Sequence, residues 1–360
     1  MALEELKVKG EDAVLVGHQA LKVLVARIFE RLGVAPEDAR IAADVLVLAD
    51  LRGVESHGVQ NYMKMIYVPG LTEGTINPRP NVRVVRETPA TALVDGDRGL
   101  GHVVAYRAME LAIRKAGEVG VGFVTVTNST HFGMAGYYAM MALQHDMVGI
   151  AMTNAPPRVL PTFGREVMLG TNPIAVAAPC GRERPFVFDA ATSTVAAGKV
   201  YVAQRLGVPI PLGWATDEAG NPTGDAAEAA RHLKLLPLGG TREQGSHKGY
   251  ALALVVDILC GVLSGAGFSA ALQRPVAGHF FGALDVAAFR PVEEFKAMMD
   301  AMVRALHDTP PAPGHAGVLV PGDPEEETMA HRLREGIPLH RPVVEYLRSL
   351  ARELGVEATV

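Results

Sequence analysis

The sequence predicts an α/β protein built on a mixed, mainly antiparallel sheet of non-Rossmann type, with a helical unit assembled from both ends of the chain. Three observations carry this. Apolar residues recur at helical spacing near both termini, as in HQALKVLVARIFERLG (18–33) and HRPVVEYLRSLARELG (340–355). In the middle of the chain, short β-rich runs follow one another too closely for the long crossovers that parallel pairing requires. The nearest match to the dinucleotide fingerprint, Gly265-Ala-Gly267-Phe-Ser-Ala270, closes an apolar segment instead of leading from a strand into a helix. The expected division is a mainly helical unit of residues 1–78 plus 310–360, and a sheet-centred unit of residues 79–309.

The elements follow in order. The helix at 18–33 is succeeded by APEDARIAADVLVLADLRG (35–53), whose first turn holds Pro36, Glu37 and Asp38. Proline needs no N–H there, and the acids meet the positive helix end. NVRVV, ATALVDG, VGFVTVTN, MVGIAMTN, NPIAVAAP and PFVFDAAT are the predicted strands, interleaved with helices at 101–117 and 133–145. YALALVVDILCGVLSGAGF (250–268) is strongly apolar, but Asp257 interrupts it and the unbroken run is too short for a bilayer span of ~18 residues. It is expected to be a helix buried in a core. VEEFKAMMDAMVRALH is helical, DTPPAPGHAG (308–317) is a linker or exposed loop, and VLVP after it reads as a strand.

Composition excludes several function classes. A chain of 360 residues, 49% apolar, can bury a large core, and a net charge of −5 without a clustered Lys/Arg run gives no footprint for nucleic acid or anionic membrane. Two isolated cysteines, Cys180 and Cys260, form neither a disulfide framework nor a metal-ligand spacing, which suits a reducing, cytoplasmic setting. MALEELKVKGEDAVL mixes acids and bases where a secretory leader would be apolar. No His/Cys/Asp spacing suits zinc, and neither GxSxG nor a P-loop occurs, so no metal site is expected.

Polar residues collect where elements end. Ser56-His57-Gly58 follows a helix, and histidine can exchange a proton near neutral pH; a local cap is the plain alternative. His131, in NSTHFG, stands where a strand gives way to a helix whose free N–H groups could face an anion, or it is a satisfied turn residue. Asp189-Ala-Ala-Thr192-Ser193 closes a strand and could orient an imidazole and bond a cofactor, or cap a helix near Ala196. Lys248-Gly249 precedes the long apolar helix, where the ammonium could meet phosphate or remain solvated. Pro321-Gly322-Asp323 reads in isolation as a turn.

The joint order of ADLRGVESHGV, DGDRGLGH, VTNSTHFGMAGYYAMMA, LGTNPIAVAAP, DAATSTVAAGKV, IPLGWATDEAGNPT, PLGGTREQGSHKGYALALVVDIL, GHFFGALD and VPGDPEEE resembles the type 2 malate/L-lactate dehydrogenase family of NAD(P)-dependent oxidoreductases, over roughly residues 15–345. The resemblance implies a non-Rossmann enzyme that passes hydride between NAD, or NADP, and a small 2-hydroxy or 2-oxo acid. It implies His57 as the proton donor and acceptor, Asp189 as its orienting carboxylate, Ser56 in substrate holding, and His131 as the competing base. Cofactor contacts are implied for Thr192, Ser193, Lys248, Gly249, Pro321, Gly322 and Asp323, in a homodimer with its active site at a domain and subunit boundary. The chain departs from the family at Asn61, where members usually carry an arginine suited to a substrate carboxylate. Arg52, Lys64 or a partner residue are the substitutes to consider. Two other readings stay open: a cyclic imino acid reductase on the same scaffold, and a catalytically silent nucleotide-binding protein.

Overall fold

The computed structural model describes residues 10–273, 275–358 and 360; the first nine residues, on which the leader reading partly rests, lie outside these. The chain begins with β1 (Ala13–Val16), α1 (His18–Arg31), α2 (Pro36–Leu51) and, beyond a π-helical turn at Met63–Tyr67, α3 (Val68–Thr72). Next come β2 (Arg83–Glu87), β3 (Thr91–Asp95), α4 (Gly101–Val119), β4 (Val121–Ser129), α5 (Ala135–Met141), β5 (Met147–Thr153), β6 (Ile174–Ala178) and β7 (Phe186–Ala190). They are followed by α6 (Ala197–Leu206), β8 (Ala215–Thr216), β9 (Pro222–Thr223), α7 (Ala226–His232) and α8 (Ser246–Val256). The chain closes with β10 (Ala277–Asp285), α9 (Val292–His307), α10 (Asp323–Glu335), β11 (Ile337–His340) and α11 (Arg341–Glu353).

Seven strands form one sheet in the order β2-β3-β4-β10-β5-β6-β7. Only β3 and β4 run parallel, and α4 is the crossover that parallel pairing demands; every other neighbouring pair is antiparallel. The mixed, mainly antiparallel sheet is thus as expected. Its middle strand, β10, was not among the predicted strands, because Gly278 and Gly282 dilute the β-pattern of GHFFGALD. The structure gives Gly278 its reason: a Cβ there would lie 1.9 Å from the Cys260 carbonyl oxygen, so only glycine lets the segment 257–262 lie directly on the sheet.

Both ends of the chain share one core. Leu21, Leu24 and Phe29 of α1, Leu46 of α2 and Leu347 of α11 pack together with Tyr67, and β1 pairs antiparallel with β11. A second core lies between the sheet and α4 and α5, and a third, small one gathers Val159, Val200, Leu235 and Ala253 around α6, α7 and α8.

Two expectations are corrected. The apolar segment 250–268 is not buried throughout: α8 ends at Val256, a π-helical turn covers Asp257–Val262, and while Ala253, Val256 and Cys260 face the core, Leu252, Val255, Ile258, Val262 and Leu263 are exposed. A helix has two faces, and only one of this helix's is covered within the chain. VLVP is not a strand but irregular backbone with Leu319 exposed, its one link to the sheet being Val187 N–H donating to Pro321 O at 3.0 Å. No helix of the described residues is long and apolar enough to cross a membrane.

Asp257, the residue that interrupts the apolar run, is a structural pin. Its Oδ1 accepts from Asn154 Nδ2 at 3.0 Å and from the Ser269 N–H and hydroxyl at 2.9 Å each, so it ties the π-helical turn to the loop after β5 and to the turn containing Gly265 and Gly267. Asp257→Ala leaves the buried Ser269 N–H without an acceptor and takes one of two acceptors from Asn154 Nδ2 and from the Ser269 hydroxyl, and we expect a stability loss of ~2 kcal/mol, read from the urea midpoint. An unchanged midpoint would refute the pin.

Candidate active site

The loop that carries His57 is held from three sides. Asp50, fully buried, accepts the Val59 N–H at 2.8 Å, and a Cβ on Gly58 would lie 2.0 Å from Asp50 Oδ1, so the glycine of SHG is demanded by packing. Burial pushes the Asp50 carboxyl up to about 8. From α10, Arg332 donates to Asp50 O and to Glu55 Oε1, both at 2.5 Å, and Arg52 pairs with Glu326. His57 lies in a 3-10 turn, Glu55–His57, with its Nδ1 2.9 Å from Ser56 Oγ.

His131 arrives from the sheet. Thr130 Oγ1 donates to Gly99 O at 2.9 Å and accepts the Gly101 N–H at 3.0 Å, fixing the end of β4 against the start of α4. Ser129 Oγ is 2.8 Å from His279 Nε2, and Asn128 Nδ2 donates to Asp95 Oδ1 at 3.0 Å. The run Asn128-Ser129-Thr130 is therefore largely the hydrogen-bonding hardware of a strand end. α5 starts only at Ala135, and its Gly136 N–H is taken by Asp189 Oδ2 at 2.6 Å, so His131 does not stand on free helix-terminal N–H groups as the sequence suggested.

The fold brings His57 and His131 together, their rings stacked with centroids 5.7 Å apart and planes 17° apart. Tyr62 lies 4.3 Å from the His131 ring and 5.5 Å from that of His57, centroid to centroid. Tyr67 Oη is 2.6 Å from His131 Nδ1, and the buried His102 ring packs 4.4 Å from the Tyr67 ring. Because Gly133 N–H, which can only donate, points to the same Nδ1 at 3.2 Å, that nitrogen is an acceptor, Tyr67 is the donor, and the network assigns the His131 proton to Nε2. His57 is not restricted in this way, since a serine hydroxyl can donate or accept.

Loss of solvation is the largest influence on these imidazoles and keeps them neutral. It pushes half-buried His57 down to about 4 and fully buried His102 down to about 3. His131 is held well below its ordinary value, first by burial and then by repulsion from His57, His102 and His279.

Asp189 and His57 are not joined by a hydrogen bond among the described residues. The carboxylate is engaged by Gly136, and the one ring partner of His57 is Ser56. Loss of solvation around the carboxyl raises Asp189 to about 6, although the residue as a whole is exposed to solvent. Asp189 is thus bonded to the first turn of α5, and Ser56 is the hydrogen-bond neighbour of the His57 ring.

The segments expected to hold the cofactor surround the end of β7. Leu238 N–H donates to Thr192 O at 2.8 Å, Thr194 N–H to Leu236 O at 2.9 Å, and Gly240 N–H to Thr194 Oγ1 at 3.2 Å, which laces the DAATS loop to the glycine-rich loop before α8. Gly322, at φ 107°, starts α10 beside Val187 of β7. Several side chains in these segments are already engaged: Thr192 Oγ1 donates to Thr171 O and Asn172 O, Ser193 Oγ donates to Val195 O, and Asp323 accepts from Val320 N–H and His307 Nε2 at 2.8 Å each. A Cβ on Gly249 would lie 2.4 Å from Leu238 O, so that glycine lets α8 approach the loop. What fits a phosphate-bearing group is backbone in tight glycine turns together with the exposed Lys248, which has no acid partner among the described residues.

Tyr62, Tyr67 and His102 were missed by sequence reasoning. In NYMKMIY both tyrosines look like members of an apolar helical stripe; the π-helical turn at Met63–Tyr67, which periodicity does not reveal, carries both to one site. GLGH offered a signal for His102, whose two ring nitrogens are buried without partners.

The sequence matches the family model described as malate/L-lactate dehydrogenase over residues 16–348. It is 46% identical over 353 residues to the malate dehydrogenase of Pyrococcus horikoshii, covering 96% of this chain and 97% of that one. It is 41% identical over 342 residues to the L-sulfolactate dehydrogenase of Methanocaldococcus jannaschii, covering 93% and 96%. The solved structure of malate dehydrogenase from Entamoeba histolytica matches with a TM-score of 0.93 at 36% identity, covering 97% of this chain and 100% of that one.

Proposed function

The chain belongs to the malate/L-lactate dehydrogenase family, and from that premise we propose that it moves hydride between NAD and a small 2-oxo acid of the malate or lactate kind, with His57 as proton donor and acceptor and His131 as a fixed hydrogen-bond donor. It is a 2-hydroxyacid dehydrogenase that uses a nicotinamide cofactor and acts on small hydroxy or oxo acids. The observation that carries the division of roles is the stacked pair of imidazoles, one with its tautomer fixed and the other free.

In oxidation of a hydroxy acid, neutral His57 accepts the hydroxyl proton at Nε2 while its Nδ1–H donates to Ser56 Oγ; in reduction the same nitrogen returns the proton to the nascent alkoxide. His131, with Nδ1 occupied by Tyr67 and Gly133, offers Nε2–H to the reacting oxygen or its neighbouring carboxylate and holds it. The Thr192–Ser193 loop, Lys248-Gly249 and Pro321-Gly322-Asp323 would hold the cofactor, whose nicotinamide would supply or take the hydride. Similarity to the NAD(+) ureidoglycolate dehydrogenase of Escherichia coli, 33% identical, supports NAD over NADP.

We further expect a cytoplasmic homodimer. Both cysteines are free, and Leu252, Val255, Ile258, Val262 and Leu263 form an uncovered apolar face of the kind that subunit interfaces cover. Sedimentation equilibrium at micromolar concentration should give twice the chain mass; a single-chain mass would overturn the dimer.

The function is tested by following NADH and NADPH absorbance with pyruvate, oxaloacetate, 3-sulfopyruvate and a cyclic imine. Turnover of a 2-oxo acid with NADH is expected. Turnover of the imine alone would make the protein an imino acid reductase, and cofactor binding with no turnover at all would make it catalytically silent.

A further inference from the structure

We infer that the guanidinium of Arg158 anchors the carboxylate next to the reacting carbonyl, the role that Asn61 leaves unfilled. This rests on the proposed function.

The other nearby candidates are committed elsewhere. Asn61 is turned back on its own loop, its Nδ2 donating to Glu55 O at 3.3 Å. Arg52 is in an ion pair with Glu326, and Lys64 lies over the Tyr346 ring with its Nζ 5.4 Å from the centroid.

Arg158 has a suitable origin. His279 of β10 stands opposite Thr153 of β5 and Val126 of β4, and its two ring nitrogens bond Thr153 Oγ1 and Ser129 Oγ at 2.8 Å each. The segments leaving β4 and β5 therefore start at the same end of the sheet, on either side of β10. One leads in two residues to His131; the other leads in five to Arg158. The second segment has a fixed course, because Arg158 N–H donates to Leu169 O at 2.8 Å and Leu235 N–H donates to Arg158 O at 2.9 Å.

The side chain is half-buried and makes no hydrogen bond or ion pair among the described residues. The guanidinium is near enough to the hydroxyl of Tyr62 for its positive charge to oppose the larger upward push of burial on that phenol. The Tyr62 ring is itself packed on His131 and His57. A partly desolvated guanidinium without an acid is costly, and a planar carboxylate received in its fork would offset that cost and set the keto carbon beside the two imidazoles.

Oxamate, a non-reacting analogue with a single carboxylate, isolates this contact. With NADH bound, Arg158→Gln should weaken oxamate binding about 100-fold and raise the KM for pyruvate and oxaloacetate alike by a similar factor, with the KM for NADH and the thermal midpoint unchanged. Arg158→Lys, which keeps the charge without the fork, should recover part of the affinity. Wild-type oxamate affinity in Arg158→Gln would overturn the anchor, and so would a KM defect confined to oxaloacetate, which would put Arg158 on the distal acid instead. Failure of the wild-type protein to bind oxamate or to reduce any 2-oxo acid would overturn the proposed function along with it, whereas an active wild type matched by Arg158→Gln would overturn the anchor alone.

Discussion

His57→Ala lowers kcat by about 10²- to 10⁴-fold in both directions, while the dissociation constant of NADH stays within about twofold, because only the proton transfer is removed. The expectation follows from which imidazole has a nitrogen free to change its protonation. His131 Nδ1 already receives two donors, Tyr67 Oη and Gly133 N–H, so its Nε2 carries the proton and can give a hydrogen bond but has no lone pair with which to take a proton. His57 has only the amphoteric Ser56 hydroxyl on Nδ1, and its Nε2 is free to work in either state. His131→Ala should therefore raise the KM for the oxo acid more than it lowers kcat. Stopped-flow and steady-state kinetics of both variants decide the matter: a collapsed kcat in His131→Ala beside a nearly intact one in His57→Ala would exchange the two roles. The pH profile offers an independent check. With His57 pushed down to about 4, kcat/KM for oxidation of the hydroxy acid should be level at neutral pH and fall only as the base is protonated near that value.

Much of this site was legible because its parts lie at the ends of well-patterned elements. SHG and NSTHFG could be read as ionisable residues where a helix and a strand stop, and the sheet does bring them to one place. The mainly antiparallel order could be read from the spacing of the strands, since only one long helical crossover, α4, joins neighbours of the sheet. What could not be read depended on tertiary context. β10 is hidden by glycines whose purpose becomes visible only when the Cys260 carbonyl is seen against Gly278. Tyr67 is hidden by a π-helical turn, which breaks the 3.6-residue period that identifies a face. Asp189 is expected beside His57 only from the family resemblance, since its place at a strand end leaves orienting and capping roles both open. In the fold a backbone amide, Gly136 N–H, engages the carboxylate, and a neighbouring serine engages the ring. The exposed face of the 250–268 segment was read as core because an apolar helix has the same composition whether its second face meets its own chain or another.

The same neutral imidazoles should make the protein labile in acid. A histidine whose folded pKa lies below its unfolded value takes up a proton when the chain unfolds, so its contribution to stability is full above about 6.5 and drains away as pH falls toward the folded value. His102 and His279 are fully buried and pushed down to about 3, and His57 to about 4, with His131 also well below the ordinary value. Asp50 works in the opposite sense: burial raises it to about 8, so its neutral form favours the fold increasingly as pH falls from there toward about 4. Asp189, raised to about 6 but exposed to solvent, adds a much smaller effect of the same sign as Asp50. Counting His102 and His279 fully, discounting half-buried His57 and His131, and subtracting the carboxyls leaves a net uptake of about two protons. That corresponds to ~2.7 kcal/mol lost per pH unit, or ~4 kcal/mol between about pH 6 and 4.5. Urea unfolding across that interval measures it directly, and a stability that stays level would refute the assignment of neutral imidazoles to the folded state. His102 is the cleanest probe, since neither of its ring nitrogens has a partner to lose. His102→Leu should flatten the slope by ~1.4 kcal/mol per pH unit. Saturation with NADH and oxamate should flatten it further, because an anion beside His57 favours the imidazolium that burial alone disfavours. The burial that makes the empty site fragile in acid is thus the same burial that leaves His57 a neutral base until substrate arrives.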